Sequence, residues 1–234
     1  MNMRSCGDGE IFSPSIYHAG RSEDVAIVMA ELARTYLIRS VALVGYSMGG
    51  NLVLKLAGER GAAAPPYLKA VVGVSPLMDL AASSAALYEP QNRLYESRFL
   101  SEMLKRFRHK IELHPGLYTA DGLEEIGTVR QFDEKVVARY GGFTGADDYY
   151  YYYSVASSNW AQDIAVPTLI LHALDDPFIR MTPDTLAKLV ANPRVMLVET
   201  RHGSHCAFLS LEPGDAGDWA ERTLLDFLLA TVEG

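Results

Sequence analysis

The stretch Val41-Ala42-Leu43-Val44-Gly45-Tyr46-Ser47-Met48-Gly49-Gly50-Asn51 decides how the rest of the chain is read. Its first four residues are all apolar, do not alternate, and are too few for a helix. They read as a strand buried on both faces. Beyond Gly49-Gly50, Asn51 to Glu59 holds strong helix formers with apolar positions at Leu52, Val53, Leu56 and Ala57. The junction is Gly45-Tyr46-Ser47-Met48-Gly49, a G-x-S-x-G turn between strand and helix. Chance alone gives roughly 0.08 such matches in a chain of ordinary composition, so the strand-turn-helix setting carries the weight. A turn this sharp strains its central serine, and glycines two positions either side let strand and helix approach closely. Ser47 Oγ would stand above the sheet, with its own N–H and that of Met48 near the helix N-terminus.

Outward from this turn, strands and helices alternate. Ser22 reads as a helix cap followed by Glu23 and Asp24, which suit a helix N-terminus. Val25, Val28, Met29, Leu32, Ala33 and Tyr36 then recur at the spacing of one buried helix face. Further apolar strands are expected at Ala70 to Val74, Thr168 to Ala173 and Val195 to Val198. Helical patterns lie at Pro183 to Ala191 and Trp219 to Ala230. Continuous apolar strands alternating with helices predict an α/β fold with a parallel sheet covered on both faces. From Leu77 to Trp160 the rhythm breaks: no strand is evident, Glu102 to Lys110 looks helical, and Tyr149 to Tyr153 is a tyrosine run. That insertion predicts a cap, with 1–76 and 161–234 forming the core. The tyrosines read as surface or packing residues.

Composition narrows the function classes without naming one. The 234 residues are 49% hydrophobic and 21% charged, and 29 acidic against 21 basic residues give a net charge of -8. A diffuse acidic surface argues against nucleic-acid partners. Cys6 and Cys206 make no disulfide framework, which fits a reducing compartment, the cytoplasm. The start lacks an apolar signal region. The longest apolar run, Ile164 to Leu174, is about half a membrane span and contains Pro167, so no transmembrane segment is expected.

A serine hydroxyl needs a base, and the base an orienting acid. On a strand-turn-helix elbow these partners follow in the order acid, then His, each just past a later strand. The third strand ends in His172-Ala173-Leu174-Asp175-Asp176-Pro177, and the fourth is followed by Arg201-His202-Gly203-Ser204-His205. Asp176, one residue deeper in its loop, is the favoured acid, with Asp175 capping the turn as the alternative. His205 is the favoured base, with His202 a neighbour. The His-x-x-His pair beside two aspartates lacks a third ligand for a metal, so neither metal nor cofactor is expected. Cys206 has no elbow and reads as a small buried residue.

These residues are recognisable as a set. With Tyr17-His18-Ala19-Gly20-Arg21-Ser22-Glu23-Asp24, Ser75-Pro76-Leu77-Met78-Asp79-Leu80, Phe132-Asp133 and Asp148-Tyr149-Tyr150, they resemble the YheT-like, embryogenesis-associated branch of the α/β-hydrolase superfamily, which includes the abhydrolase-domain lipases. The resemblance implies a serine esterase acting on esters or lipids, with Ser47, Asp176 and His205 as nucleophile, acid and base, and the Met48 N–H in the oxyanion hole. It assigns the tyrosine run to the family's Tyr-Tyr position in the cap. One departure stands out. Family members carry a His-Gly loop, supplying a second oxyanion donor, after earlier strands. This chain begins Met1-Asn2-Met3-Arg4-Ser5-Cys6-Gly7, similar to the end of the strand before the first helix. The expectation is an N-terminally truncated fold whose first strands and oxyanion loop are absent. A central strand would then be an open edge, to be covered by a missing segment or a partner chain. A missing oxyanion donor typically lowers turnover about 10²–10³-fold, so a catalytically silent binding domain is the alternative, as is a phospholipase or thioesterase with the same triad.

Overall fold

The computed structural model describes residues 1–209 and 217–232. In chain order the helices and strands are α1 (Ser22–Tyr36), β1 (Val41–Tyr46), α2 (Met48–Arg60), β2 (Leu68–Val74), α3 (Leu80–Leu87), α4 (Arg93–Leu113), α5 (Val129–Phe132), a π-helical turn (Asp133–Ala138), α6 (Arg139–Gly141), α7 (Ala146–Tyr153), α8 (Trp160–Asp163), β3 (Thr168–Ala173), α9 (Pro183–Val190), β4 (Val195–Thr200) and α10 (Trp219–Val232). The chain divides into two compact units. One comprises Ala19–Ser83 and Tyr153–Gly234, the other Met1–His18 and Ser84–Tyr152.

The first unit is built on a four-stranded sheet in the order β1-β2-β3-β4, parallel throughout. All four strands lie where the apolar runs predicted them. β2 and β3 are buried almost end to end, because each has a strand on either side and helices over both faces. On one face Val72, Val74, Leu169, Leu171 and Ala173 pack with Phe208 and with Ala220 and Leu224 of α10. On the other, α2 lies so close that a Cβ at Gly73 would meet Leu54 Cδ1 at 2.6 Å. Burying a side chain such as Leu54 or Leu171 stabilises the fold by about 1.5–3 kcal/mol.

Four expectations are corrected. β1 is not buried on both faces: among the described residues it has one sheet neighbour, β2, and Val44 and Tyr46 are each 39% exposed. Ser22 is not a cap. It is the first residue of α1, and its hydroxyl instead donates to Glu59 Oε2 (2.6 Å), beside the Lys55–Glu59 ion pair of α2. The face of α1 is only partly covered, since Val25 and Met29 are buried while Val28, Leu32 and Tyr36 are exposed. Residues 1–7, likened to a strand end, contain no strand, and Gly7–Phe12 is a 3₁₀ helix.

The second unit is helical. Phe107, on the 21-residue helix α4, meets Tyr118, Phe132 and Tyr140 at ring-centroid distances of 5.5, 6.0 and 5.7 Å. Such aromatic contacts add to the burial of the rings themselves. The tyrosine run divides by helical period: Tyr149 and Tyr150 are buried, Tyr151 and Tyr152 exposed. Tyr150 OH donates to Asp133 Oδ2 (2.6 Å) and lies 3.1 Å from Ser84 Oγ. Among the described residues no helix is long and apolar enough to cross a membrane.

Candidate active site

The β1–α2 junction is as sharp as its sequence predicts. Ser47 has φ 53° and ψ −121°, a conformation that strains any residue with a side chain. Its N–H donates to the Val74 carbonyl at the end of β2 (2.9 Å), and its own carbonyl accepts from Leu77 N–H and Asn51 N–H, both at 3.1 Å. The turn is thereby tied to the neighbouring strand on both sides. The glycines contribute unequally. A Cβ at Gly45 would collide with the Gly49 backbone, and one at Gly50 would sit 3.0 Å from Gly45 O and from Pro76 Cβ, but one at Gly49 would meet nothing. The close approach therefore needs Gly45 and Gly50, not the outer pair of the motif. Met48 opens α2, so its N–H belongs to the first turn, where no intrahelical acceptor exists.

β3 delivers the two aspartates to different environments. Asp176 is buried, its side chain fully so. Oδ1 accepts from Phe178 N–H (3.1 Å) and Ile179 N–H (2.8 Å), which leaves Oδ2 for His205 Nδ1 at 2.9 Å. Asp175 points into solvent, where Oδ1 accepts from Ser204 N–H (2.8 Å) and Oδ2 lies 3.3 Å from His202 Nδ1. The Ser204 N–H, followed by the His202 contact, holds the Asp175 carboxyl below its ordinary range. The four residues thus form two separate pairs. Among the described residues no cluster of His, Cys, Asp and Glu is arranged to hold a metal ion.

Burial by itself would lower His205. The Asp176 carboxylate and the adjacent Cys206 sulfur outweigh it and push the imidazole up to about 9. Phe178 packs on the ring, centroid to centroid 4.4 Å, and limits its rotation. A third histidine went unremarked in the sequence. His172, on β3, is buried, and that burial holds its imidazole below the ordinary value.

The end of β2 anchors both the serine turn and the histidine loop. The Val74 carbonyl that accepts the Ser47 N–H also lies 3.9 Å from Cys206 Sγ, and the Cys206 N–H donates to Ser75 Oγ (3.3 Å). Ser47 and the residue after His205 therefore hang on two consecutive residues at the carboxyl end of one strand. Active-site groups of open α/β sheets gather at this end. No motif in the sequence singles out Ser75 for this role.

Comparison with known proteins agrees with this architecture. The family pattern described as alpha/beta hydrolase fold matches residues 1–210. The chain is 30% identical over 239 residues to "Putative esterase YheT" of Escherichia coli K12, covering all of this chain and 68% of that protein. It is 26% identical over 236 residues to phospholipase ABHD3 of Homo sapiens, covering 99% of this chain and 56% of that protein. It thus spans between about half and two thirds of these relatives' lengths. A serine hydrolase structure from Cycloclasticus zankles superposes with a TM-score of 0.52 at 18% identity, over 98% of this chain and 76% of that one.

Proposed function

The chain belongs to the α/β-hydrolase fold family, and on that footing we propose that it is a serine hydrolase that cleaves carboxylic esters, lipid-like ones included, through an acyl-enzyme on Ser47. The observation that carries this reading is the pairing of the buried Asp176 with His205, whose loop is anchored on the same end of β2 that anchors Ser47. With Nδ1 bonded to Asp176, the imidazole presents Nε2 as the atom that takes a proton. His205 Nε2 removes the Ser47 Oγ proton as Oγ attacks the ester carbonyl carbon. The carbonyl electrons move to oxygen, and the Met48 N–H stabilises the resulting charge. Collapse breaks the carbon–alkoxy bond, and His205 returns the proton to the leaving alcohol. A water deprotonated by His205 then hydrolyses the acyl-enzyme, releasing the acid and restoring Ser47. Throughout, Asp176 holds the ring in one tautomer and offsets the imidazolium charge.

The relatives' names, an esterase and a phospholipase, share ester hydrolysis and support that bond over a thioester or amide. The two free cysteines, Cys6 and Cys206, fit a cytoplasmic setting. A fluorophosphonate probe tests the assignment. The wild-type chain should be labelled on Ser47 and the Ser47→Ala variant should not. An unlabelled wild type, the behaviour of a silent binding domain, or labelling that survives the substitution overturns it.

A further inference from the structure

The loop that carries His205 is strained in an unusual pattern. Ser204, Cys206 and Phe208 all have positive φ, at 52°, 64° and 45°, and none is a glycine. Left-handed residues of this kind persist only when their surroundings over-determine them. Each of the three is held through its own N–H. Ser204 N–H donates to Asp175 Oδ1 (2.8 Å), Phe208 N–H to the Gly203 carbonyl (2.8 Å), and Cys206 N–H to Ser75 Oγ (3.3 Å). The Phe208 bond is internal to the loop, and the Asp175 bond is exposed. The Ser75 bond is part-buried and, with the longer Cys206 Sγ contact to the Val74 carbonyl (3.9 Å), links the loop to the strand that also holds Ser47.

Ser75 is itself built for a fixed position. It is fully buried, lies at φ 43°, and its N–H donates to the Leu171 carbonyl of β3 (2.8 Å). Its predecessor Val74 accepts the Ser47 N–H. A rigid chain of contacts therefore runs from the Ser47 backbone through Val74 and Ser75 to the Cys206 N–H, one residue from the imidazole.

We propose that Ser75 is a positioning residue of this site: its hydroxyl, by holding the Cys206 N–H, sets His205 at a fixed distance from Ser47. The proposal rests on the serine-hydrolase reading above. It touches neither substrate nor reacting atoms, so its effect is on how often the imidazole is correctly placed, not on binding. A misplacement of about 1 Å at a reacting pair lowers turnover up to roughly 100-fold.

The test is a series at position 75, measured by ester hydrolysis and by the rate of fluorophosphonate labelling. Ser75→Ala removes the hydroxyl and keeps the strained backbone; Ser75→Gly removes the hydroxyl and relieves the strain. Both should lose roughly 10- to 100-fold in kcat and in labelling rate with KM within about twofold. Ser75→Gly should nevertheless melt higher than Ser75→Ala. Ser75→Cys, which keeps a weak acceptor, should fall between these variants and the wild type. The acid limb of the pH profile should move to lower pH in Ser75→Ala, as a loosened His205 is raised less by Asp176. Wild-type kcat in any folded variant that lacks the hydroxyl overturns the proposal. So does activity that simply follows the melting temperature, because that is a structural role alone. Should Ser75→Ala and Ser75→Gly fail to fold, the Ser75→Cys value decides: full turnover refutes the clamp. A wild type that is never labelled overturns the hydrolase reading instead, and the proposal with it.

Discussion

Asp175 and Asp176 differ by one position in the chain and by their exposure to water. That exposure separates their roles. A buried carboxylate with two backbone donors and one imidazole partner is held in one orientation, whereas an exposed one turns to solvent and to the loop beside it. Asp176→Asn should lower kcat/KM on a short-chain ester by on the order of 10⁴-fold, since the amide no longer favours the correct tautomer. Asp175→Asn should cost less than about tenfold, because an amide oxygen still accepts from Ser204 N–H. The pH profile carries the sign. A base acts only when deprotonated, so with His205 held near 9 activity should rise with pH through that value. In Asp176→Asn the limb should shift downward, as the partner that raises the imidazole is gone. A titration of kcat/KM for the three proteins checks both statements.

At the scale of the element, the helical unit holds an acid that the proposed chemistry does not use. Asp133 opens the π-helical turn and is buried, and burial, only partly offset by the Tyr150 hydroxyl, pushes its carboxyl up to about 7. Tyr150 is raised in turn, by its own burial first and then by the neighbouring carboxylate. A carboxyl raised on folding favours the protonated folded state. Its contribution to stability is complete below the unfolded value near 4 and is lost as pH rises through about 7. Asp133→Asn should therefore melt higher than wild type at pH 8, by about 1–3 kcal/mol, with the difference shrinking towards pH 5. Thermal melts at the two pH values measure it, and an equal difference at both would sink the idea. None of this was legible in the run Tyr149 to Tyr153. A repeat of one residue type holds no information on which rings face inward, and the helical period of α7 alone selects Tyr149 and Tyr150.

At the scale of the whole molecule, β1 is the edge of the sheet among the described residues. Its Val44 and Tyr46 are exposed, as are Ile27, Leu32, Tyr36 and Leu37 of α1 and the residue that ends it. An apolar edge strand with free backbone groups is a template for pairing with another chain. Val44→Lys should reduce self-association severalfold, read as slower growth of light scattering at 37 °C, while leaving fluorophosphonate labelling in place. The apolar run at 41–44 identified the strand but overstated its burial. Periodicity reports which residues avoid water, not whether a neighbour is present to exclude it.

By itself the sequence determined the alternation of strand and helix, the elbow at Ser47, and the order of serine, acid and histidine along the chain. These depend on local sterics, on period and on strand ends, all of which are written in adjacent residues. Only the tertiary structure decided the rest. It chose Asp176 over Asp175 as the buried partner of His205, and turned Ser22 from a cap into a tertiary donor. It gave the close approach to Gly45 and Gly50, and joined Ser75 to Cys206 across 131 residues. The physical reason is common to all four: burial and hydrogen-bond partnership are set by segments remote in the chain, and no local pattern specifies which remote segment arrives.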